Sequence, residues 1–167
     1  MELDHTREPV PGSVGAVTKR IQMSSGLTGP RKAMLALSAE AARAAEDNGL
    51  DHLLLELVKI RASQLNGCAF CLDMHTADAV KAGESPRRIF VLDAWREVDL
   101  FTDEERAALE LTEAVTRLSE TQDVPDDVYD RATSTFTEPQ YQALLWSIVV
   151  INAWNRLSVT SRAPLPV

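Results

Sequence analysis

The chain has 167 residues, 45% hydrophobic and 25% charged, the balance of one globular domain with a sizeable core. Its 25 acidic residues outnumber 17 Lys and Arg, and the net charge of -8 opposes electrostatic binding to nucleic acid or anionic lipid. The Met-Glu-Leu-Asp-His start lacks the basic residues and apolar run of a secretory signal, and the most apolar stretch, 143–153, is too short for a membrane span. The expectation is a cytoplasmic protein in a reducing compartment, where a structural disulfide would not persist and two close cysteines need another explanation.

Residues 1–30 hold Pro9, Pro11, Gly12, Gly15, Gly26, Gly29 and Pro30. That density of breakers predicts an N-terminal arm over 1–30, with one short helix near Val14 to Met23, ahead of a helical domain over 31–167. Ala33 to Glu46 is rich in alanine and leucine and predicts a helix ending near Asn48-Gly49. Asp51 is the expected N-cap of the next helix, which carries Leu53, Leu54, Leu57, Val58 and Leu65 and stops at Asn66-Gly67. A third helix is expected from about Cys68 to Ala82, and Ser85-Pro86 opens a fourth. Thr102 with Glu105 and Thr137 with Gln140 have capping-box spacing, each ahead of an apolar periodic run. Pro125 marks a further short helix. With no strand, hairpin turn or repeat in the pattern, the expected fold is all-α, a bundle of about seven helices.

The chemistry concentrates in Asn66-Gly-Cys-Ala-Phe-Cys-Leu-Asp-Met-His75. At helical spacing Cys68, Cys71 and His75 fall within roughly 60° of one another, so one face presents two sulfurs and an imidazole. The Asn-Gly break puts Cys68 at or near a helix N-terminus, where unpaired amides and the helix dipole favour a thiolate. Glu56 interrupts the apolar run Leu53 to Val58, and a buried carboxylate there needs a partner. The short Asn66-Gly67 turn makes the flanking helices antiparallel neighbours. At 1.5 Å per residue Glu56 lies about 15 Å before the turn and His75 about 12 Å after it, so the two can meet and support proton transfer. Ser63, on the face of Glu56, could extend that relay, although an ordinary helix residue is the simpler reading. Two other readings of the cysteines stand beside this one. They could be a pair of core cysteines, or zinc ligands together with His75 and a carboxylate. Glu56 by itself could equally be a solvated charge. His5 and His52 are expected at the surface, and Trp95, Trp146 and Trp154 in the core or an interface.

Glu56 followed by Arg61-Ala-Ser-Gln-Leu-Asn-Gly-Cys-Ala-Phe-Cys-Leu-Asp-Met-His75 resembles the alkyl hydroperoxidase AhpD-like core of the carboxymuconolactone decarboxylase superfamily. The resemblance extends through Ala82-Gly-Glu-Ser-Pro86, Ala94-Trp-Arg-Glu97, Phe101-Thr102 and Asn152-Ala-Trp-Asn-Arg156, covering most of the chain from about Leu50. It implies an all-helical fold assembled as a homo-oligomer (dimer, trimer or hexamer) and peroxide reduction by the cysteine pair. By position, Cys71 would be the attacking thiolate, Cys68 its disulfide partner, and His75 with Glu56 the proton relay. Members that decarboxylate the lactone lack the cysteine pair. The characterised peroxidase has a histidine where this chain has Phe70.

The implied substrate is a hydroperoxide, and the implied reductant a small dithiol or a lipoyl protein. No haem, flavin or nucleotide motif is present, so no cofactor is expected and the thiols would carry the electrons. Three rivals remain at this point: a thiol-disulfide oxidoreductase or redox sensor using the same residues, a non-catalytic helical oligomeric binding protein, and a zinc protein.

Overall fold

The computed structural model describes residues 18–23 and 25–165. These residues form an all-α fold with no strand among them: α1 (Thr28–Asp47), α2 (His52–Asn66), α3 (Ala69–Lys81), α4 (Pro86–Val91), a 3-10 turn (Leu92–Glu97), α5 (Asp103–Thr116), α6 (Leu118–Thr121), α7 (Asp126–Thr135) and α8 (Glu138–Ser161). The 3-10 turn and the one-turn α6 are additions to the expected set. Neither has a periodic run long enough to register in the sequence.

Two expectations near the N-terminus need correction or restriction. Positions 1–17, and with them most of the expected arm, lie outside the described residues. Positions 18–23 take no helix. Instead Arg20 Nη1 donates to the carbonyl of Thr160 at 2.8 Å and Gln22 Nε2 to that of Ser161 at 2.9 Å, which ties this segment along the end of α8. α1 also starts at Thr28 rather than Ala33. Gly29 and Pro30 sit in its first turn, where proline has no intrahelical N–H bond to lose.

The caps read from the sequence set the register of the site-bearing helices. The Asp51 carboxylate accepts from the N–H groups of Leu53 and Leu54 at 2.6 and 3.1 Å. Thr102 and Glu105 form a reciprocal capping box, and Gln140 accepts from the Thr137 N–H at 3.0 Å. Gly67 ends α2 in the left-handed region at φ 65°, and only two residues then separate α2 from α3.

α2 is the central helix. It packs against α3, α5 and α8 and is buried almost continuously from Leu54 to Ser63. One face joins Leu54, Leu55 and Val58 to Leu111, Phe136, Leu144 and Ile148. The opposite face joins Leu57 and Ile60 to Ile89, Leu92, Trp95 and Leu109. Apolar burial on both faces is why α2 shows a weak amphipathic stripe and a long apolar run.

Charge is buried with it. Arg61 Nε donates to Glu113 Oε1 at 2.8 Å, and the same oxygen accepts from Trp95 Nε1 at 2.9 Å. Arg61 also pairs with Asp93, and Arg96 Nη1 reaches Glu113 Oε2 at 2.6 Å. Together these bonds lock α2 to α5 and to the 3-10 turn. Burial alone would push the Glu113 carboxyl up, but its bonds from Trp95, Arg96 and Arg61 outweigh that and hold it below the usual carboxylate range. Glu113→Ala would leave the Arg61 Nε and the buried Trp95 indole N–H without a partner, with Asp93 still paired to Arg61, and should cost about 3 kcal/mol. Arg96→Ala removes a partner that is 51% exposed and should cost less than half as much. Urea unfolding of the two variants side by side checks the ranking.

Candidate active site

The turn between α2 and α3 builds the site. Gly67 lets the chain reverse, and Cys68 becomes the N-cap of α3, with its N–H bonded to the Ser63 carbonyl at 3.0 Å. Its sulfur accepts from the Cys71 N–H at 3.4 Å, one of the orphan amides of the helix start. Cys71 is the third residue of α3, and its sulfur lies 2.8 Å from that of Cys68. Both are free thiols, each 1% exposed.

The helix start does not make Cys71 a resting thiolate. Burial pushes its thiol up to about 12, and the neighbouring Cys68 thiol adds to the rise. Hydrogen bonds from Asn155 and Ser158 pull the other way without overcoming it. In the reduced pair Cys71 therefore holds its proton, and chemistry there needs a base.

An imidazole lies one helical turn on. His75 Nδ1 is 2.9 Å from Glu56 Oε2 across the α2–α3 hairpin. Glu56, only 3% exposed, also accepts from Lys59 Nζ at 2.7 Å through Oε1. Burial would raise its carboxyl, but the bonds from His75 and Lys59 prevail and bring it down to about 2. An ionised carboxylate can only accept, so Nδ1 carries the hydrogen of this bond. The structure thus brings Glu56 and His75 together as expected, and Glu56 is a buried, paired charge rather than a solvated one.

Ser63 does not join them. Its hydroxyl donates to the Lys59 carbonyl at 2.7 Å and accepts from Asn155 Nδ2 at 3.0 Å. Its role is to hold the asparagine that abuts Cys71. Asn66 Nδ2 bonds Asn152 Oδ1 and Asn155 Oδ1, both at 2.9 Å, and Asn152 Nδ2 bonds Thr116 Oγ1 at 3.0 Å. This buried amide network fastens α8 to α2 behind the sulfurs. Lys59, Asn155 and Ser158 were not singled out from the sequence. Lys59 had a signal in its three-residue spacing from Glu56. Asn155 had one as a polar residue in an otherwise apolar helix.

A cavity of about 700 Å³ opens beside Cys71 and His75. Its walls are largely apolar and include Phe70, Met74, Ile151 and Trp154, with Lys59 among the polar lining residues. Trp154 is fixed by an indole N–H bond to Ser38 Oγ at 2.8 Å. His52 is exposed at the same cavity, and His5 lies outside the described residues. Trp95 is in the core, whereas Trp146 is 51% exposed. Among the described residues no three His, Cys, Asp or Glu side chains converge as a metal-ligand set, and no helix is long and apolar enough to cross a membrane.

The Glu56 shift carries a pH signature. Its carboxyl titrates at about 2 in the folded chain against a usual 4.5, so between these values the unfolded chain binds more protons. Its stabilising contribution is complete above about pH 4.5 and is lost as pH falls toward 2. Glu56→Gln should flatten that part of the stability profile, read by chemical denaturation at successive pH values.

Comparison with known proteins agrees with this geometry. The model of the carboxymuconolactone decarboxylase family matches residues 31–114, half of the chain. The chain is 48% identical to the uncharacterised protein YdfG of Bacillus subtilis over 114 residues, 68% of this chain and 77% of YdfG. Among solved structures it resembles a protein of unknown function from Agrobacterium tumefaciens, with a TM-score of 0.80 and 35% identity, covering 90% of this chain and 99% of that one. A peroxidase-related protein from Silicibacter sp. shares the fold at a TM-score of 0.67 and 19% identity, covering 78% of this chain and 67% of that one. With the family core matched from α1 into α5 and the helical architecture reproduced in solved relatives, the chain belongs to the carboxymuconolactone decarboxylase family, as an AhpD-like member.

Proposed function

We propose that this protein reduces organic hydroperoxides with the Cys68–Cys71 pair, using His75 and Glu56 as the proton relay. One observation carries the reading: two reduced sulfurs 2.8 Å apart, with a carboxylate-bound imidazole one turn along the same helix. An antioxidant-defence role has been suggested for the Agrobacterium relative, which agrees with it.

The reaction runs in three steps. His75 Nε2 takes the proton of the Cys71 thiol, and the thiolate attacks the terminal oxygen of the hydroperoxide. The O–O bond breaks, the leaving alkoxide takes the proton back from His75 as alcohol, and Cys71 becomes a sulfenic acid. Cys68 then attacks that sulfur, water leaves, and a disulfide closes over a separation the two sulfurs already nearly span. A thiol reductant, one dithiol or two monothiols, returns both cysteines to thiols by exchange. Glu56 stays ionised throughout and stabilises the imidazolium formed in the first step. The largely apolar cavity takes the organic part of the peroxide.

A second reading, a thiol-disulfide oxidoreductase or sensor with slow peroxide turnover, draws on two observations. The Cys71 thiol is pushed up to about 12, and Phe70 can donate no hydrogen bond at the cavity wall beside it.

Treatment of reduced protein with one equivalent of cumene hydroperoxide, followed by thiol trapping and mass spectrometry, should show loss of two hydrogens within the Cys68–Cys71 peptide. An unchanged peptide would sink the proposal, and disulfide formation without steady-state turnover on a dithiol would favour the second reading. His75→Ala should slow disulfide formation about 100-fold or more, as loss of a positioned base does. Phe70→His should speed it, by placing a second imidazole at the cavity wall.

A further inference from the structure

The two sulfurs do not open on the same space. Cys71 borders the 700 Å³ cavity together with His75. Cys68 borders a separate cavity of about 420 Å³ on the other side of the pair. Phe70 and Ser158 border both and form the partition between them. The smaller cavity is lined by two arginines, Arg20 and Arg162, and by no acidic residue. In a chain of net charge -8 that is a local reversal of sign.

Both arginines lie at the end of α8 and are exposed. Arg20 is anchored through Nη1 to the Thr160 carbonyl at 2.8 Å. Arg162 caps α8 in the left-handed region at φ 48°, a conformation that disfavours any residue with a Cβ. Among the described residues neither arginine forms a salt bridge.

We infer that the smaller cavity is the docking site of the reductant, a small thiol carrying a carboxylate, which attacks the oxidised pair at Cys68. The inference rests on the disulfide chemistry proposed above and adds to it a second entrance and a charge preference. Exchange requires the incoming thiolate to approach along the S–S axis from the side opposite the leaving sulfur. Cys68 lines the smaller cavity and not the larger, and Cys71 the reverse, so a thiolate seated in the smaller cavity meets Cys68 first.

The exchange balances. The first thiolate bonds to Cys68 Sγ, and the Cys68–Cys71 bond breaks. Cys71 leaves with the electron pair and takes a proton from water. A second thiolate then attacks the reductant's own sulfur in the mixed disulfide, and Cys68 leaves as the second protein thiol. Two small thiols become one small disulfide, and one protein disulfide becomes two thiols. Arg20 and Arg162 act on the carboxylate of the incoming thiol and touch neither the peroxide nor Cys71.

The test starts from protein oxidised with diamide, so that closing the disulfide does not depend on peroxide. Reduction is followed with 3-mercaptopropionate, 2-mercaptoethanol and cysteamine, with rate constants expressed per thiolate. The anionic thiol should exceed the neutral one by about tenfold, at the low end of charge steering, and the cationic one should be slowest. In the R20Q/R162Q double variant the ratio of anionic to neutral should fall to about one, and about 0.5 M salt should shrink it in the unmodified protein. Using the ratio within each protein removes any general effect on folding. Equal rate constants in the unmodified protein, a ratio that survives the double variant, or a mixed disulfide trapped on Cys71 would each overturn the inference. A disulfide that closes with diamide but not with hydroperoxide would defeat the peroxidase reading and leave the charge preference to be read. Failure to close with either oxidant would defeat both.

Discussion

A carboxylate in the middle of the most buried helix is the constraint on which the site depends. Glu56 lies between apolar residues on α2, where an unpaired charge would cost several kcal/mol. Two bonds compensate it: Lys59 from the same helix and His75 from α3. The second can form only if α3 returns alongside α2 in one register, which the two-residue turn at Gly67 and Cys68 enforces. Satisfying Glu56 therefore fixes the imidazole, and the turn that allows it makes Cys68 an N-cap. The imidazole–carboxylate pair and the sulfur pair are consequences of one local geometry.

The rest of the fold holds that hairpin rigid. Arg61 and Glu113 tie the far side of α2 to α5, and the Asn66, Asn152 and Asn155 amides tie its end to α8. Arg61, Glu113, Asn152 and Asn155 are buried and hydrogen-bonded, which is the condition under which polar groups specify a core rather than weaken it. α8 closes one wall of the larger cavity with Ile151 and Trp154 and places Asn155 and Ser158 against Cys71. The thiol is thus set between an imidazole carried by α3 and hydrogen-bond donors supplied by α8. Burial, which keeps it protonated at rest, also shields it from indiscriminate oxidation.

Much of this could be read from the order of residues. Helix caps are local, so Asp51, Thr102 and Gly67 announced where α2 and α5 begin and where α2 ends. The spacing of Cys68, Cys71 and His75 fixed a shared face, because helical period alone decides it. The meeting of Glu56 with His75 followed from counting residues on either side of a short turn, and the motif carried the family. What local sequence could not supply was anything requiring a distant helix. Asn155 reaches Cys71 and Ser63 across more than eighty positions, and Ser63 turned out to serve that asparagine instead of the relay. The raised Cys71 thiol is a burial effect, and burial is a property of the packed bundle, whereas the local order of residues reveals only the amides of the helix start. The division of the sulfurs between two cavities likewise exists only once α8 and the segment before α1 are in place. Short-range periodicity and capping therefore determined the elements and the reactive face. Long-range packing alone decided what surrounds each sulfur, because desolvation and cavity shape are set by residues far apart in the chain.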